Sequence, residues 1–452
     1  MSSPTHSDER DAVDAFSDLL DAAPATAPAP DDPDRRRRRA RARRAGIIVA
    51  IVIVLVLAGA GGYVAWALHA PLPAPVATTR TPTVAPGPVA SPTITGTGSV
   101  LITGGQDYLG PDGIHLIAAD DSPKPIASIT KLITALVILD AHPLGGADDP
   151  GPTITFGKAA HDLYDEYYVQ GATIAEMPTG TTMSLHDALA TMLIPSASNY
   201  ADALSTWAFG SRGGYLAATR SWLAANGLGA TTIVEPTGLS DRNTSTPSDL
   251  VRIGQLAAAN PAIVQITATP SLTVTGPGTM RNTNDLLGEM GVTGLKTGNL
   301  GEGTFSLLYT ASLDVGIGTP LAVVGVALDG SSRDAVDASV RTLFDSVRAG
   351  FHRVRLPAAE TVIGAYETAW GGSAQLVVAT SGTILTWSDT PISVTADIAT
   401  PTAYADGERV GTLTWTAGPN AEVVQVEVRG TIEPPTDWWR LTHPAELLGA
   451  GS

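Results

Sequence analysis

Ser128 and Lys131 lie three residues apart, a spacing that places both side chains on one face of a helical turn. A serine hydroxyl becomes a good nucleophile when an adjacent base takes its proton, and a lysine with a lowered pKa can be that base. Burial and a helix N-terminus both lower the pKa of a lysine. The chain has only four lysines against 23 arginines, which cannot deprotonate. The pair therefore predicts a lysine-activated serine nucleophile, although one such pair is also typical of a capped helix start.

A second lysine, Lys296, stands between an apolar segment and the strand-like sequence TFSLLYTASL. The small Gly298 allows a close backbone approach, which suits a substrate bound along the edge of a strand. We expect Lys296 to supply a compact positive charge and Thr297 to supply a hydroxyl for a terminal carboxylate. The N–H groups of Asn299 and Ser128 would together form an oxyanion hole. The alternative interpretation is a turn with an exposed lysine.

The elements that must position these side chains are a buried helix and a sheet. Apolar residues recur at helical spacing from Ile129 to Leu139, which predicts a helix beginning near Ser128. Alternating apolar residues at 99–103 and 114–118 predict a hairpin closed by the turn GPDG. Strand-like and helix-like patterns then alternate as far as about residue 357, so a mixed domain is predicted.

The N-terminal region contains a long uncharged run at residues 45–68, enough to cross about 30 Å of hydrocarbon as one helix. A buried core helix or a cleavable signal peptide is less favoured, since the run is long and the region before it is not short. Eight arginines between positions 35 and 44 precede the run, and the positive-inside rule keeps such a cluster cytoplasmic. We predict a cytoplasmic, disordered tail over residues 1–44, a single-pass cell-membrane helix over 45–68 and an extracytoplasmic remainder.

Two further regions contain no residues at the spacing of a catalytic motif. Residues 69–95 contain seven prolines between positions 71 and 92, a composition typical of an extended, semi-rigid linker. Past residue 355 short alternating runs are separated by Gly, Pro and Asp-Gly turns. This pattern predicts a small C-terminal all-β domain and tail over residues 356–452.

Composition excludes several kinds of site. The chain has no cysteine, which excludes disulfide frameworks, thiolate nucleophiles and cysteine-based metal centres. Its eight histidines are scattered, so His161 and His186 are interpreted as surface or structural residues, and no metal or other cofactor is expected. A formal net charge of -17 argues against nucleic acid as a partner.

Three short motifs occur in order along the chain: Ser-Ile-Thr-Lys at 128–131, Ser-Ala-Ser at 196–198 and Lys-Thr-Gly at 296–298. Ser-x-x-Lys, a Ser-x-Asn-type element and Lys-Thr-Gly are shared by penicillin-binding proteins and class A β-lactamases. With the segments around them, such as TTMSLHDALATMLIPSASNYADAL, EPTGLSDRNTSTPSDLVRIG and RNTNDLL, they resemble the low-molecular-mass penicillin-binding proteins, the serine-type D-Ala-D-Ala carboxypeptidases. The resemblance covers residues 98–350. It implies a catalytic domain over 96–355 with the α/β (α+β) penicillin-binding, β-lactamase-like transpeptidase fold, an antiparallel sheet with helices.

The resemblance also implies roles for individual residues. Ser128 would attack the carbonyl of the penultimate D-Ala of a peptidoglycan stem peptide, and β-lactams would be covalent inhibitors. Ser196 would relay a proton to the leaving group beside Lys131. The family's Asn, which bonds the substrate amide, is replaced by Ser198, and Asn199 is displaced by one position. Either the Ser198 hydroxyl makes part of that contact, or a loop shift brings Asn199 inward.

The implied function is a membrane-anchored serine D-Ala-D-Ala carboxypeptidase that removes the terminal D-Ala through an acyl-enzyme. A serine β-lactamase would use the same motifs, with Glu235 as a candidate deacylating base, although the surrounding EPTGLS resembles the carboxypeptidases. A catalytically impaired cell-wall-binding protein is the third alternative, because of Ser198. Spacing and composition alone support only an external serine acyl-enzyme hydrolase.

Overall fold

The structure is a computed structural model and describes residues 33–449, which divide into two compact units. Of these residues, one unit holds 33–76, 367–372 and 433–449, and the other holds 77–366 and 373–432. Most of the predicted tail, residues 1–32, lies outside the described residues.

Helices and strands are numbered in chain order. The helices are α1 (Pro33–His69), α2 (Gln106–Leu109), α3 (Thr130–Ala141), α4 (Lys158–Val169), α5 (Leu185–Leu193), α6 (Ser198–Phe209), α7 (Arg212–Ala225), α8 (Pro247–Ala258), α9 (Pro261–Thr267), α10 (Arg333–Ala349), α11 (Asp437–Thr442) and α12 (Pro444–Gly449). A 3₁₀ turn, Ala127–Ile129, directly precedes α3.

The strands are β1 (Val76–Thr79), β2 (Thr97–Thr103), β3 (Ile114–Ala118), β4 (Lys124–Pro125), β5 (Thr153–Phe156), β6 (Thr181–Ser184), β7 (Thr244–Ser245), β8 (Ser271–Val274), β9 (Gly278–Arg281), β10 (Val292–Gly298), β11 (Phe305–Leu313), β12 (Leu321–Gly330), β13 (Phe351–Arg355), β14 (Val362–Glu367), β15 (Ser373–Val378), β16 (Thr383–Trp387), β17 (Ser393–Ile398), β18 (Arg409–Ala417) and β19 (Asn420–Arg429). Two of the sheets are large: a five-stranded one in the order β10-β11-β12-β2-β3 and a six-stranded one in the order β1-β14-β15-β19-β18-β17.

The apolar helix α1 begins before the predicted span. It starts at Pro33, because the arginine cluster continues the helix and arginine is a strong helix former. Residues 33–44 are therefore helical, where the sequence led us to expect disorder. The expectation of one long apolar N-terminal helix is confirmed, since α1 is long and apolar enough to cross a membrane and its apolar part is unburied.

The end of the chain packs against the end of α1 within the same unit. Ala67, Ala70 and Leu447 form a small buried core there. The Arg440 guanidinium donates hydrogen bonds to the carbonyls of Ala67 at 3.3 Å and Ala70 at 3.0 Å. The last carbonyls of a helix lack partners within the helix, so this arginine satisfies two of them.

The five-stranded sheet carries helices on both faces. The predicted hairpin is present, because β2 and β3 pair antiparallel with Ile102 opposite Ile114. α10 covers one face with Val340, Leu343 and Phe344, and α8 packs on the other. An antiparallel sheet with helices was predicted and is confirmed.

The helical layer is built around α3. Residues 130–139 of this helix are all buried, and α3 contacts α5, α6, α7 and α8. A helix that is covered on every side is stabilised by packing against its neighbours, whereas an amphipathic helix would expose one polar face to water. Any side chain on its first turn is consequently fixed in position.

The six-stranded sheet takes one strand from the Pro-rich segment. β1 lies at the edge beside β14, with the Arg80 N–H donating to the Ile363 carbonyl at 2.7 Å and the Thr78 hydroxyl donating to Ala365 at 3.3 Å. Further along, the Ala90 N–H donates to the Ser388 hydroxyl at 2.9 Å. Residues 77–95 are extended, but they pack on the β-rich region instead of forming a free spacer. Prolines are tolerated near an edge strand, because the N–H groups on its outer side have no neighbouring strand to which they must donate hydrogen bonds. The expectation of a C-terminal β-rich region is confirmed.

Candidate active site

One cavity of about 380 Å³ brings together most of the predicted site residues. Predicted residues on its wall are Ser128, Ser196, Ser198, Thr297, Gly298 and Asn299. The two predicted lysines, Lys131 and Lys296, lie behind this wall and are fully buried. Segments far apart in the sequence therefore converge on a single pocket.

Ser128 and Lys131 are in direct contact. Nζ of Lys131 lies 3.0 Å from Oγ of Ser128 and donates a hydrogen bond to the carbonyl of Thr237 at 2.7 Å. Burial lowers the pKa of Lys131 to about 7, while the negative charge of Glu235 acts in the opposite direction. At neutral pH a large fraction of this amine is therefore unprotonated and able to accept the Ser128 proton.

The nucleophile candidate lies on a 3₁₀ turn rather than on the α-helix itself. The α-helix begins at Thr130, and Ser128 lies in the middle of the turn before it. Ala127 has a φ of 47°, in the left-handed region that non-glycine residues rarely adopt. This turn directs the Ser128 side chain toward the pocket and leaves Lys131 in the first turn of α3.

The strand β10 passes close to that turn, as the sequence led us to expect from Gly298. A Cβ atom at Gly298 would lie 2.9 Å from the Ile126 carbonyl oxygen and 3.1 Å from the Cβ of Ala127. Real Cβ atoms almost never approach a backbone oxygen this closely, so the strand can lie here only with glycine at this position. The Lys-Thr-Gly segment thereby forms one wall of the pocket beside Ser128.

Lys296 is enclosed by the protein. It lies within β10, and its Nζ donates a hydrogen bond to the Thr297 carbonyl at 3.2 Å. Burial lowers the pKa of Lys296 well below its usual value, and the positive charges of Lys131 and Arg333 lower it further. The alternative of an exposed lysine in a turn is wrong.

Thr283 and Arg333 also line the pocket, although the sequence assigned no role to either. The hydroxyls of Thr283 and Thr297 lie 2.6 Å apart, and the Arg333 guanidinium donates to the Thr283 carbonyl at 2.6 Å. Thr283 belongs to the segment RNTNDLL, which the resemblance had included, so a signal for it existed. Arg333 is the first residue of α10, and nothing in the local sequence marks it.

Ser196 lies on the pocket wall in a strained conformation. Its φ is 71°, and its hydroxyl is buried without a hydrogen-bond partner among residues 33–449. A buried hydroxyl without a partner is unfavourable, so the surrounding packing must hold it there. Such a group is available to a molecule that enters the pocket.

Asn199 does not reach the pocket, which decides one of the alternatives left open by the sequence. Its side-chain amide donates to the Ala175 carbonyl at 2.8 Å and accepts from the Ala175 N–H at 3.1 Å. Ser198, the first residue of α6, lies on the pocket wall. The Asn199 side chain is therefore held away from the pocket, whereas Ser198 lines it.

Glu235 does not line the pocket. Its carboxylate is buried and accepts hydrogen bonds from the N–H groups of Thr237 and Gly238, both at 2.6 Å. The amide of Asn243 donates to the same carboxylate at 2.8 Å. A carboxylate surrounded by donors in this way is poorly placed to activate a water in the pocket.

The fold and the pocket agree with a comparison against known families. Residues 116–327 match the family described as D-alanyl-D-alanine carboxypeptidase, a peptidase family. The matched residues, just under half of the chain, are similar to that family. The match includes all three motifs, and its first and last residues lie in β3 and β12.

Curated relatives and solved structures give further similarity. The chain is 29% identical over 154 residues to a D-alanyl-D-alanine endopeptidase of Pseudomonas aeruginosa, covering 34% of this chain and 46% of that protein. It is 30% identical over 175 residues to a D-alanyl-D-alanine endopeptidase of Escherichia coli, covering 37% and 52%. The chain thus spans about half the length of these relatives.

Two solved structures are also similar to this chain. Penicillin binding protein 5 from Haemophilus influenzae is 18% identical with a TM-score of 0.49, covering 76% of this chain and 100% of that one. The Streptomyces K15 DD-transpeptidase is 24% identical with a TM-score of 0.48, covering 57% and 98%.

The different positions of Ser198 and Asn199 lead to opposite expectations for stability. Replacing Asn199 by Ala leaves two buried backbone groups of Ala175 without partners, which should lower the free energy of unfolding by about 2 kcal/mol or more. Ser198→Ala should change it by less than about 1 kcal/mol, since its side chain borders the pocket. Denaturant unfolding of both full-length variants in detergent measures the difference. Equal losses would contradict this assignment.

Proposed function

We propose that the chain is a membrane-anchored serine peptidase that removes the terminal D-Ala from peptidoglycan stem peptides through an acyl-enzyme on Ser128. The observation that carries this proposal is the contact between Nζ of Lys131 and Oγ of Ser128 at the wall of the pocket. A buried lysine with a pKa of about 7 is suited to act as a general base near neutral pH. The family match supports a bond after D-Ala as the one that would be cleaved.

Acylation begins with proton transfer. Unprotonated Lys131 takes the proton of Ser128, whose Oγ attacks the carbonyl carbon of the penultimate D-Ala. The negative charge that develops on the carbonyl oxygen is stabilised by the N–H groups of Ser128 and Asn299. Both residues lie on the pocket wall, which supports this assignment.

Release of the terminal D-Ala requires a proton on its nitrogen. Ser196 relays that proton from Lys131 to the leaving amine, and its unpaired hydroxyl on the pocket wall supports this role. The C–N bond breaks and an ester to Ser128 remains. Water then attacks the ester carbonyl, which releases the shortened peptide and returns the proton to the Ser128 oxygen.

The terminal carboxylate of the substrate needs positive charge and hydrogen-bond donors. Thr297 supplies a hydroxyl, and its neighbour Thr283 is held by Arg333 on the same wall. Lys296 adds a buried amine behind them, whose charged form the substrate carboxylate would favour. Ser198 occupies the place of the family's Asn and contacts the peptide amide.

An endopeptidase is a second candidate function. The two curated relatives are named D-alanyl-D-alanine endopeptidases, and the same acyl-enzyme would form if the leaving amine belonged to a cross-linked neighbouring stem. The carboxypeptidase leads because the matching family carries that description. A β-lactamase that uses Glu235 for deacylation is disfavoured, since that carboxylate lies away from the pocket with its oxygens bonded.

The membrane anchor in this proposal is α1. Its apolar part is unburied, and the arginine cluster precedes it. The positive-inside rule supports a cytoplasmic N-terminus and an extracytoplasmic peptidase domain. Peptidoglycan stem peptides are the substrate partner in that location.

Labelled penicillin should form a long-lived covalent adduct with the chain, and intact-mass analysis measures it. The acylation rate should rise about tenfold per pH unit below pH 7 and level off above it, because the base form of Lys131 is required. Ser128→Ala is the control and should give no adduct. A flat profile from about pH 5 to 9 would contradict the role of Lys131, and rapid penicillin turnover would favour the β-lactamase.

Product analysis distinguishes the two peptidase candidates. A pentapeptide ending in D-Ala-D-Ala should lose its last residue, which chromatography of free D-Ala detects, faster than a cross-linked dimer is cleaved. Lys131→Met keeps a buried side chain of similar length without a base and should lose at least about a hundredfold in rate. Faster cleavage of the cross-linked dimer would make the endopeptidase the leading function.

Membrane orientation can be tested by labelling, since the chain has no native cysteine. A membrane-impermeant maleimide added to intact cells should label Ser381→Cys, in the exposed turn before β16. It should label Ser7→Cys only after the cells are permeabilised, because the arginine cluster keeps the N-terminus inside. The reverse pattern would refute the proposed orientation.

A further inference from the structure

The segment from Glu235 to Asn243, called here the acidic turn, is hydrogen-bonded to three residues in the first part of α3. Three bonds connect the two segments: Nζ of Lys131 to the Thr237 carbonyl at 2.7 Å, Oγ1 of Thr134 to the Pro236 carbonyl at 2.8 Å, and Nδ2 of Asn243 to Oγ1 of Thr130 at 3.1 Å. The conformation of the acidic turn therefore determines where the acceptor for Lys131 lies.

The Glu235 carboxylate holds that conformation from inside the turn. It is 7% exposed and accepts hydrogen bonds from the N–H groups of Thr237, Gly238 and Ser240 at 2.6, 2.6 and 3.3 Å. The Thr237 hydroxyl and the Asn243 amide donate to it at 2.5 and 2.8 Å. Five donors around one carboxylate leave the turn few alternative conformations.

The acidic turn also contacts the residue that precedes the nucleophile. Gly238 has a φ of 84°, and a Cβ atom there would lie 2.0 Å from the carbonyl oxygen of Ala127. The turn is thus packed against the 3₁₀ turn that carries Ser128, as well as against the base. The conformation of the acidic turn therefore affects the positions of both Ser128 and Lys131.

We propose that Glu235 is a positioning residue: its buried carboxylate shapes the acidic turn so that the Thr237 carbonyl meets Nζ of Lys131, and it supplies the negative charge that acts on this amine. The inference rests on the proposed function of Lys131 as a base. It assigns to Glu235 a role in acylation through Lys131 and none in deacylation.

The other ionisable groups near Lys131 do not supply this charge. Lys296 on β10 is a base whose own pKa is lowered by burial, and Arg333 acts on Lys296. Burial raises the pKa of Tyr215 on α7 to about 12, so this phenol is neutral at physiological pH. Asp202 on α6 accepts a hydrogen bond from Tyr167 at 2.8 Å, and its charge acts on Tyr167 and Tyr215. Among the described residues, Glu235 is the acid whose charge raises the pKa of Lys131 against the effect of burial.

The small number of lysines permits a direct measurement. Full-length chain labelled with ¹³C at lysine Cε contains four such carbons, and a Lys131→Met variant identifies the signal of Lys131 by its absence. In the unaltered chain this signal should titrate with a midpoint near pH 7. In Glu235→Gln the midpoint should fall by at least about half a pH unit, because loss of the anion disfavours the charged amine. An unchanged midpoint in a folded Glu235→Gln variant would overturn the proposal.

Glu408 offers a matched control, because its carboxylate also organises a turn. It accepts hydrogen bonds from the N–H groups of Thr402 and Ala403 in the β-rich region. Glu408→Gln makes the same chemical change at a distance from the pocket, and the Lys131 midpoint should stay at its unaltered value. A shift equal to that of Glu235→Gln would show a general effect of lost charge and overturn the proposal.

The Glu235→Asp variant tests the position of the carboxylate separately from its charge. It also replaces Glu235→Gln as the test if that variant does not fold. The shorter side chain keeps the charge but cannot reach all five donors, so the Lys131 midpoint should stay near pH 7 while the limiting rate of penicillin acylation falls at least about fivefold. An unaltered limiting rate would overturn the positioning role. Absence of any Ser128-dependent adduct in the unaltered chain would instead refute the proposed function, and the titration of Lys131 would still decide the role of Glu235.

Discussion

Burial of a single amine, that of Lys131, is the constraint on which the rest of the site depends. A charged amine in a dry core is very unfavourable, so the completely covered helix α3 can carry this residue only if its amine is readily neutral or well compensated. Ser128 and the Thr237 carbonyl supply the two contacts at hydrogen-bond distance. Packing that encloses the helix therefore creates the base, because the same burial brings the pKa of Lys131 to about 7.

The backbone around the pocket is held in conformations that the local sequence does not favour. Ala127 and Ser196 have φ values of 47° and 71°, each of which costs about 1 to 2 kcal/mol for a non-glycine residue. These residues stand next to Ser128 and at the start of the second motif. Gly238 lies against the Ala127 carbonyl, and Gly298 lies against the Ile126 carbonyl and the Ala127 side chain, at positions where a larger residue would collide. Packing that imposes these strained conformations therefore holds Ser128, the proposed nucleophile, in a fixed position.

The spacing of apolar residues predicted those helices and strands whose pattern is complete within a short segment of sequence. The buried helix after Ser128, the hairpin of β2 and β3 and the strand with Lys296 all follow from such patterns. Contacts between distant segments could not be predicted in this way. Asn199 bonds a residue 24 positions away, and Arg333 bonds a residue 50 positions away. The Pro-rich segment looked like a spacer for the same reason, because its strand pairs with a partner far along the chain.

Basic residues lie at the pocket and behind its wall, although the molecule as a whole is acidic. The chain carries a net charge of -17, yet the charges of Lys131 and Arg333 both act on Lys296 beside the pocket. The Glu235 carboxylate is buried and accepts several hydrogen bonds. Burial lowers the pKa of Lys296, and the positive charges of Lys131 and Arg333 lower it further while the pocket contains no anion. A carboxylate that enters the pocket reverses this effect for the group beside it. In the proposed mechanism, charge on Lys296 would be favoured when an anionic substrate is bound, whereas Lys131, next to Ser128, would need its neutral form at that same moment. The separation of the two lysines onto β10 and α3 would then allow one to bind the carboxylate and the other to accept a proton.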